Sequence, residues 1–534
     1  MRSLSFILGF ILLSVISFSQ PMGSDNASKP KLVVGIVVDQ MRWDYLYRYY
    51  DRYLPNGGFK RLLNSGFSFE NTFISYTPSV TACGHTAIFT GSVPAITGIT
   101  GNEWYDYTKK DFAYCTGDDS VQTVGSNTEL GQMSPRNLLV KTVGDELKIA
   151  SNSRSKVFGI ALKDRGAILT TGHSADAAYW YDEKTGDWIS SSYYMKTLPK
   201  WVTDFNARKT VDSCYRLGWQ LMYPFETYIQ STTSKTSFGY NLTGNIGKNY
   251  GFLRVIPQGN SLTLEMAKAI IENEKLGAGD ATDLLTVSFS TPDYVGHTFG
   301  PNSIEAEDVF LRLDKDLGDF LSYLDTEIGK NQYLVFLTAD HGAANAPAFM
   351  ETKKIPAGNV DVETINNRLN QLLTEKYKTQ DLSIAIMNYQ VYLNRDSIAK
   401  KNLSMDSIAG TAIDFLLQQP GIKLAFLQRD IANITFPDGM KQMTKNGYYA
   451  ARSGDIQLIF EPQWMEGTHR TGTTHGLAYP YDTHIPLIWY GWNVLPGKSY
   501  KEVYVTDIAP TLASMLKIQM PDGAVGKSLL DDMH

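Results

Sequence analysis

Cysteine is scarce, with Cys83, Cys115 and Cys214 the only three in 534 residues. An odd number without metal-knuckle spacing excludes a disulfide-stapled scaffold and a zinc knuckle, and leaves room for at most one bridge beside a free thiol. No cysteine stands where an N-terminal lipid would be attached. Excess positive charge is missing too. A net charge of -6 and a pI near 5.8 provide no field for nucleic acid or an anionic membrane, so any recognition of phosphate must be local. Internal repeats and low-complexity tracts are absent, which excludes a repeat array. The apolar run from Leu4 to Phe18 falls short of the ~20 residues that span a bilayer, so no stable membrane anchor is expected.

What is present is ordinary globular material, 43% hydrophobic and 19% charged, enough for a continuous core. Residues 1–19 have the layout of a signal peptide: Arg2, then the apolar run, then small residues around Ser19-Gln20. This predicts export and a periplasmic or secreted protein. Residues 20–30 read as a flexible tether, and 31–534 as one domain with insertions at about 166–260, rich in Trp and Tyr, and about 347–464.

The fold class follows from apolar runs that end in acids. Leu32 to Asp39, Leu284 to Asp293 and Tyr333 to Asp340 read as buried parallel strands with aspartates at their tips. The carboxyl ends of such strands gather at one crevice of an open α/β sheet. Further strands are expected at Phe67–Ile74, Val157–Leu162, Ile456–Phe460 and Ile485–Tyr490. Helices are expected at Trp43–Tyr53, Ala82–Phe89, 303–327, Val362–Tyr377 and Thr506–Leu516. The predicted architecture is a mostly parallel central sheet sandwiched by helices.

Histidines accompany the acids: His297 four residues after Asp293, and His341 beside Asp340. Carboxylate and imidazole together suit zinc, and the set exceeds the three protein ligands usual for one catalytic ion. A two-metal hydrolytic centre is therefore predicted, with Asp39, Asp293, His297, Asp340, His341 and His475 as candidate ligands. His469, six residues before His475, competes for the last place. Two metals can stabilise both the attacking and the departing oxygen of an in-line displacement, which fits phosphoryl transfer. Among the hydroxyls of Ser79-Val80-Thr81, Thr81 is the chosen nucleophile, placed near the N-cap of a helix; a plain capping role is the alternative. Cys83 lacks the Cys-x-Pro-x-Arg setting of a sulfatase nucleophile and reads as a small buried residue.

These motifs, together with Gly84-His85-Thr86, Gly98-Ile99-Thr100-Gly101-Asn102, Lys163-x-Arg165 and Thr474-His475-Gly476, resemble the alkaline phosphatase superfamily, most closely its PafA-type secreted phosphate-monoester hydrolases. The resemblance covers roughly residues 31–528. It implies two Zn2+: one on Asp293, His297 and His475, the other on Asp39, Asp340, His341 and the Thr81 oxygen, with His469 left structural. It implies attack by Thr81 on phosphorus and hydrolysis of the resulting phosphothreonine, with Asn102, Lys163 and Arg165 binding the phosphate. Without it, Lys163 and Arg165 read equally well as a solvated charge pair around Asp164.

Lys163 and Arg165 favour the extra charge of a monoester over a diester. Small phosphate monoesters are the expected partners, with a monomer favoured. A phosphodiesterase of the nucleotide pyrophosphatase/phosphodiesterase kind is the alternative on the same fold. An exported binding protein with structural metals is a third reading, disfavoured because the ligand set leaves open positions beside a hydroxyl.

Overall fold

The computed structural model describes residues 29–229, 235 and 237–533. The expected signal peptide lies outside the described residues, as does all of the expected tether before Lys29.

The framework is β1 (Leu32–Val38), β2 (Phe67–Phe73), α1 (Thr81–Thr90), β3 (Val157–Ala161), α2 (Asp164–Thr171), β4 (Ala177–Asp182), β5 (Asp283–Phe289), α3 (Thr291–Phe299), α4 (Ile304–Leu324), β6 (Tyr333–Thr338) and β7 (Leu487–Gly491). These strands lie in one sheet in the order β2-β7-β6-β1-β5-β3-β4. The five from β6 to β4 are parallel. Every residue of β1, β5 and β6 is buried, as continuous apolar runs covered on both faces require. The expected α/β architecture is what the chain adopts.

Register places the site. In β1, Val37 lies opposite Thr338 of β6 and Val38 opposite Phe289 of β5. The residues that follow these three strands therefore leave the sheet together at one edge.

Helix α1 is buried along its whole length, so it presents no face to solvent and packs all round. Gly35, in the middle of β1, makes this seat: a Cβ there would stand 2.7 Å from the ring of Phe336 and 2.9 Å from that of Phe89 on α1. Full burial of Phe89 stabilises the seat by about 1.5–3 kcal/mol. Helix α4 buries Val309, Phe310, Leu313, Leu317, Phe320, Leu321 and Leu324, the stripe visible in the sequence, as it crosses over between β5 and β6.

Some elements differ from expectation. The Trp43–Tyr53 helix shrinks to Tyr45–Arg48 and a separate 3-10 turn at Tyr50–Arg52, with Tyr45 and Tyr49 both packed on Phe310. Pro486 has no N–H for a ladder, and it splits the expected Ile485–Tyr490 strand. The part after it, β7, runs antiparallel between β6 and β2. The stretch from 166 opens inside the framework rather than outside it, in α2 and then β4, whose aromatic residues are all buried in the sheet. Its density of Trp and Tyr suits a strand interior as well as a surface lid. The three cysteines are unpaired, so no bridge forms among them.

A second, four-stranded antiparallel sheet contains Ser383–Met387, Gln390–Leu393, Ile456–Phe460 and Ile422–Leu427, with its own apolar core around Leu369, Val391, Ile408 and Phe460. It touches the main sheet's functional edge, where the Tyr389 hydroxyl donates to the His475 carbonyl at 2.8 Å. No helix among the described residues is long and apolar enough to cross a membrane.

Candidate active site

Asp39, Asp293 and Asp340 converge at the edge where β1, β5 and β6 end, all three buried. Two groups form. Asp293, His297 and His475 each bring one ligand atom within 4.8 Å of the others, and so do Asp39, Asp340 and His341. Within α3, Asp293 and His297 are one helical turn apart on one face, and His297 Nε2 lies 3.1 Å from Asp293 Oδ1. His475 Nε2 is 3.6 Å from the same oxygen. His341 Nε2 is 3.4 Å from both Asp39 Oδ1 and Asp340 Oδ2. His469 is exposed and belongs to neither group.

The histidines are prepared as ligands by their other nitrogens. Nδ1 of His297, His341 and His475 faces the carbonyls of Thr473, Gly342 and Ser79, at 2.8, 2.9 and 2.8 Å respectively. Donation from Nδ1 leaves each Nε2 lone pair directed at the carboxylates, the arrangement that suits a metal ligand. Burial, joined for His475 by its histidine neighbours, holds His341 and His475 below the ordinary range. His297 is shifted upward, because Asp293 outweighs burial.

Three buried carboxylates meet one buried ammonium. Lys163 Nζ donates to Asp39 Oδ2 and Asp293 Oδ2, both at 2.6 Å. Burial works to discharge this lysine, yet Asp293 and Asp39 hold it protonated above the usual lysine range. Asp39 is pushed well up by burial and by the Asp293 and Asp340 carboxylates. Asp293 and Asp340 stay low against burial, Asp293 chiefly through His297 and Lys163, Asp340 through His341 and His85. Asp39 Oδ1 and Asp340 Oδ2 are buried without a hydrogen-bond partner among the described residues, with His85 Nδ1 standing 3.2 Å from the second. Such surplus negative charge with unused lone pairs is what cations would balance, and the residues fit a pair of divalent metals.

Thr81 is the first residue of α1, not its cap; that position falls to Val80. Its Oγ1 lies 3.4 Å from both His341 Nε2 and Lys163 Nζ. Asn102 Oδ1 accepts from Ala82 N at 3.0 Å, which brings its amide to the start of α1. Lys163 is buried and Arg165 only slightly exposed, so neither is a solvated surface charge. Arg165 Nη1 donates to the Tyr114 hydroxyl at 3.0 Å, and its Nε is buried without a partner among the described residues. Cys83 donates to the Ile99 carbonyl, and burial pushes its thiol well up, away from nucleophilic use.

Two further side chains take part: Gln40, which has no role on sequence alone, and His85, which sequence alone leaves as structural rather than catalytic. Gln40, in the left-handed region at φ 64, donates its backbone N–H to Asp340 Oδ1 at 3.1 Å and its side-chain amide to Asp293 Oδ1 at 2.7 Å. It ties the two groups together, and its only sequence signal is adjacency to Asp39. His85 spans α1 and β5, with Nδ1 at 2.9 Å from the Thr81 carbonyl and Nε2 at 2.7 Å from Ser288 Oγ.

Residues 33–484 match the family described as type I phosphodiesterase / nucleotide pyrophosphatase. The chain belongs to that family. A Synechococcus elongatus protein named alkaline phosphatase PhoV is 50% identical, across 95% of this chain and 93% of its own. A Myroides odoratus protein named calcium-transporting ATPase is also 50% identical, covering 95% of both. The crystal structure of alkaline phosphatase PafA superposes with a TM-score of 0.92 at 46% identity, over 95% of this chain and 99% of that one. On these likenesses the family member described here is an enzyme, a phosphatase of the alkaline phosphatase superfamily.

Proposed function

We propose that the protein hydrolyses small phosphate monoesters by attack of Thr81 Oγ1 on phosphorus, through a phosphothreonine, on a centre of two zinc ions. Asp293, His297 and His475 would hold one ion, and Asp39, Asp340, His341 and the Thr81 oxygen the other. When bound, the pair supplies Lewis-acid charge for the attacking and departing oxygens.

The observation that carries this reading is the place of Thr81 Oγ1, 3.4 Å from a protonated lysine and 3.4 Å from His341, at the N-terminus of a buried helix. Positive charge and the helix terminus both favour a developing alkoxide. Asn102, Lys163 and Arg165 supply an amide, a point charge and a planar fork for the remaining phosphate oxygens. The doubly charged phosphoryl group of a monoester uses all three, whereas a diester replaces one charged oxygen with an ester group that these donors meet less well. Export through residues 1–19 and action as a monomeric single domain belong to the same reading.

Thr81→Ala should nearly abolish turnover of a monoester; wild-type rates in that variant would remove the nucleophile. The family description favours one second reading, a phosphodiesterase. Comparison of one monoester with its matched diester decides between them: faster cleavage of the diester would overturn the role given to Lys163 and Arg165.

A further inference from the structure

Beside the site a cavity of about 260 Å³ opens, with Lys163, Arg165, Met133, Trp180, Arg254 and Tyr294 in its lining. None of the six candidate metal ligands lines it. Lys163 joins it to the nucleophile, because its Nζ lies 3.4 Å from Thr81 Oγ1. Tyr294 follows Asp293 on α3, so this wall stands next to the Asp293, His297 and His475 group.

The walls combine aromatic and apolar groups with charged ones, the acids Asp164 and Glu183 among them. Trp180 and Tyr294 offer π-systems, and Met133 a polarisable thioether. The Tyr294 ring carries cations in two directions, with Lys163 Nζ at 5.0 Å and Arg254 Cζ at 4.8 Å from its centroid. Arg254 is fixed by an ion pair with Glu183 and by donation from Nη1 to the Tyr294 hydroxyl at 3.3 Å. A guanidinium held in this way costs little further ordering when a ring settles near it. The volume lies below the roughly 300 Å³ at which pockets for whole drug-sized molecules begin, so it suits part of a substrate.

We infer that this cavity is a leaving-group subsite for a planar aromatic ring, with Arg254 setting the preference for aromatic over small aliphatic monoesters. The inference rests on the proposed Thr81 phosphatase reading. It is tested with benzyl phosphate and ethyl phosphate, esters of two alcohols of similar acidity. In the wild type, kcat/KM should favour benzyl phosphate by about tenfold, the scale of one partly desolvated cation–π contact. Arg254→Ala should bring the ratio close to one, and Met133→Trp, which fills the cavity, should lower it as well. Benzylphosphonate and ethylphosphonate, read as competitive inhibitors without turnover, should show the same preference and the same losses. A wild-type ratio near one, or a ratio unchanged in both variants, would overturn the subsite. Activity surviving in Thr81→Ala would instead overturn the mechanism beneath it, whatever the ratio.

Discussion

Gly84 sits three residues after Thr81 on α1, where the helix crosses the end of β6. A Cβ at this position would lie 2.3 Å from the Asp340 carbonyl oxygen, 2.6 Å from Asp340 Cβ and 2.7 Å from Asp340 Cα. Two of these three contacts are with backbone, which has no rotamer to yield. Real Cβ contacts essentially never fall under 3.0 Å, so in Gly84→Ala the helix and strand end must separate by at least 3.0 - 2.3, or about 0.7 Å. Overpacking of this kind costs about 1–3 kcal/mol of stability. The catalytic cost should be of similar size, because the displaced atoms are Thr81 on one side and Asp340 with His341 on the other. A 1 Å misplacement can cost about 100-fold, so a loss of about 10- to 100-fold in kcat/KM is expected. The assay is monoester hydrolysis with saturating zinc, beside thermal unfolding. Gly410→Ala is the control: it lies within the helix Met405–Leu416 with nothing within 4 Å of a new Cβ. Alanine there should stabilise by up to about 1 kcal/mol and leave activity alone. A Gly84→Ala enzyme that keeps wild-type kcat/KM would refute the claim that this contact sets the distance between the proposed nucleophile Thr81 and the proposed ligands Asp340 and His341.

Gln40→Ala removes the amide that ties Asp293 to the neighbouring group and should weaken metal binding by about 10- to 100-fold, read by titration of zinc into the metal-depleted protein. Tyr114→Phe removes the hydroxyl partner of Arg165; kcat/KM for a monoester should fall by about tenfold or more while metal content stays unchanged. Chelation should abolish turnover and lower the Tm, because ions that bind only the folded chain stabilise it by mass action. Asp314, remote from the site, is raised to about 6 by burial, although Leu54 N and Phe59 N donate to it. A carboxyl raised on folding contributes stability below its unfolded value near 3.8 and loses it as pH rises through 6. Between pH 4 and 7, Asp314→Asn should therefore gain on the wild type by up to about 3 kcal/mol, since a tenfold difference in acidity between folded and unfolded chain is worth about 1.4 kcal/mol. A constant difference in denaturant midpoints across that range would show that the carboxyl is not raised.

Much of this protein was legible in the sequence. Leu32–Val38, Asp283–Phe289 and Tyr333–Thr338 are continuous apolar runs, and continuous burial is what the interior of a parallel sheet demands, so strand identity and fold class followed from local composition. The acids and histidines after those runs were conspicuous, and α4 announced itself by its periodicity. Three things depended on tertiary packing. Pro486 divides a run whose sequence looks unbroken, and only the pairing partners show that the second part is antiparallel. The aromatic stretch around Trp180 belongs to the main sheet because β3 lies beside it. Gln40 and Tyr294 acquire their places from partners hundreds of residues distant or from cations on other elements, as in Gln40 with Asp293 and Asp340, and Tyr294 with Lys163 and Arg254. Local sequence records which side chains are available and which backbone they favour. Distances between groups contributed by separate strands and helices arise only when the sheet assembles, and those distances decide which carboxylate meets which histidine.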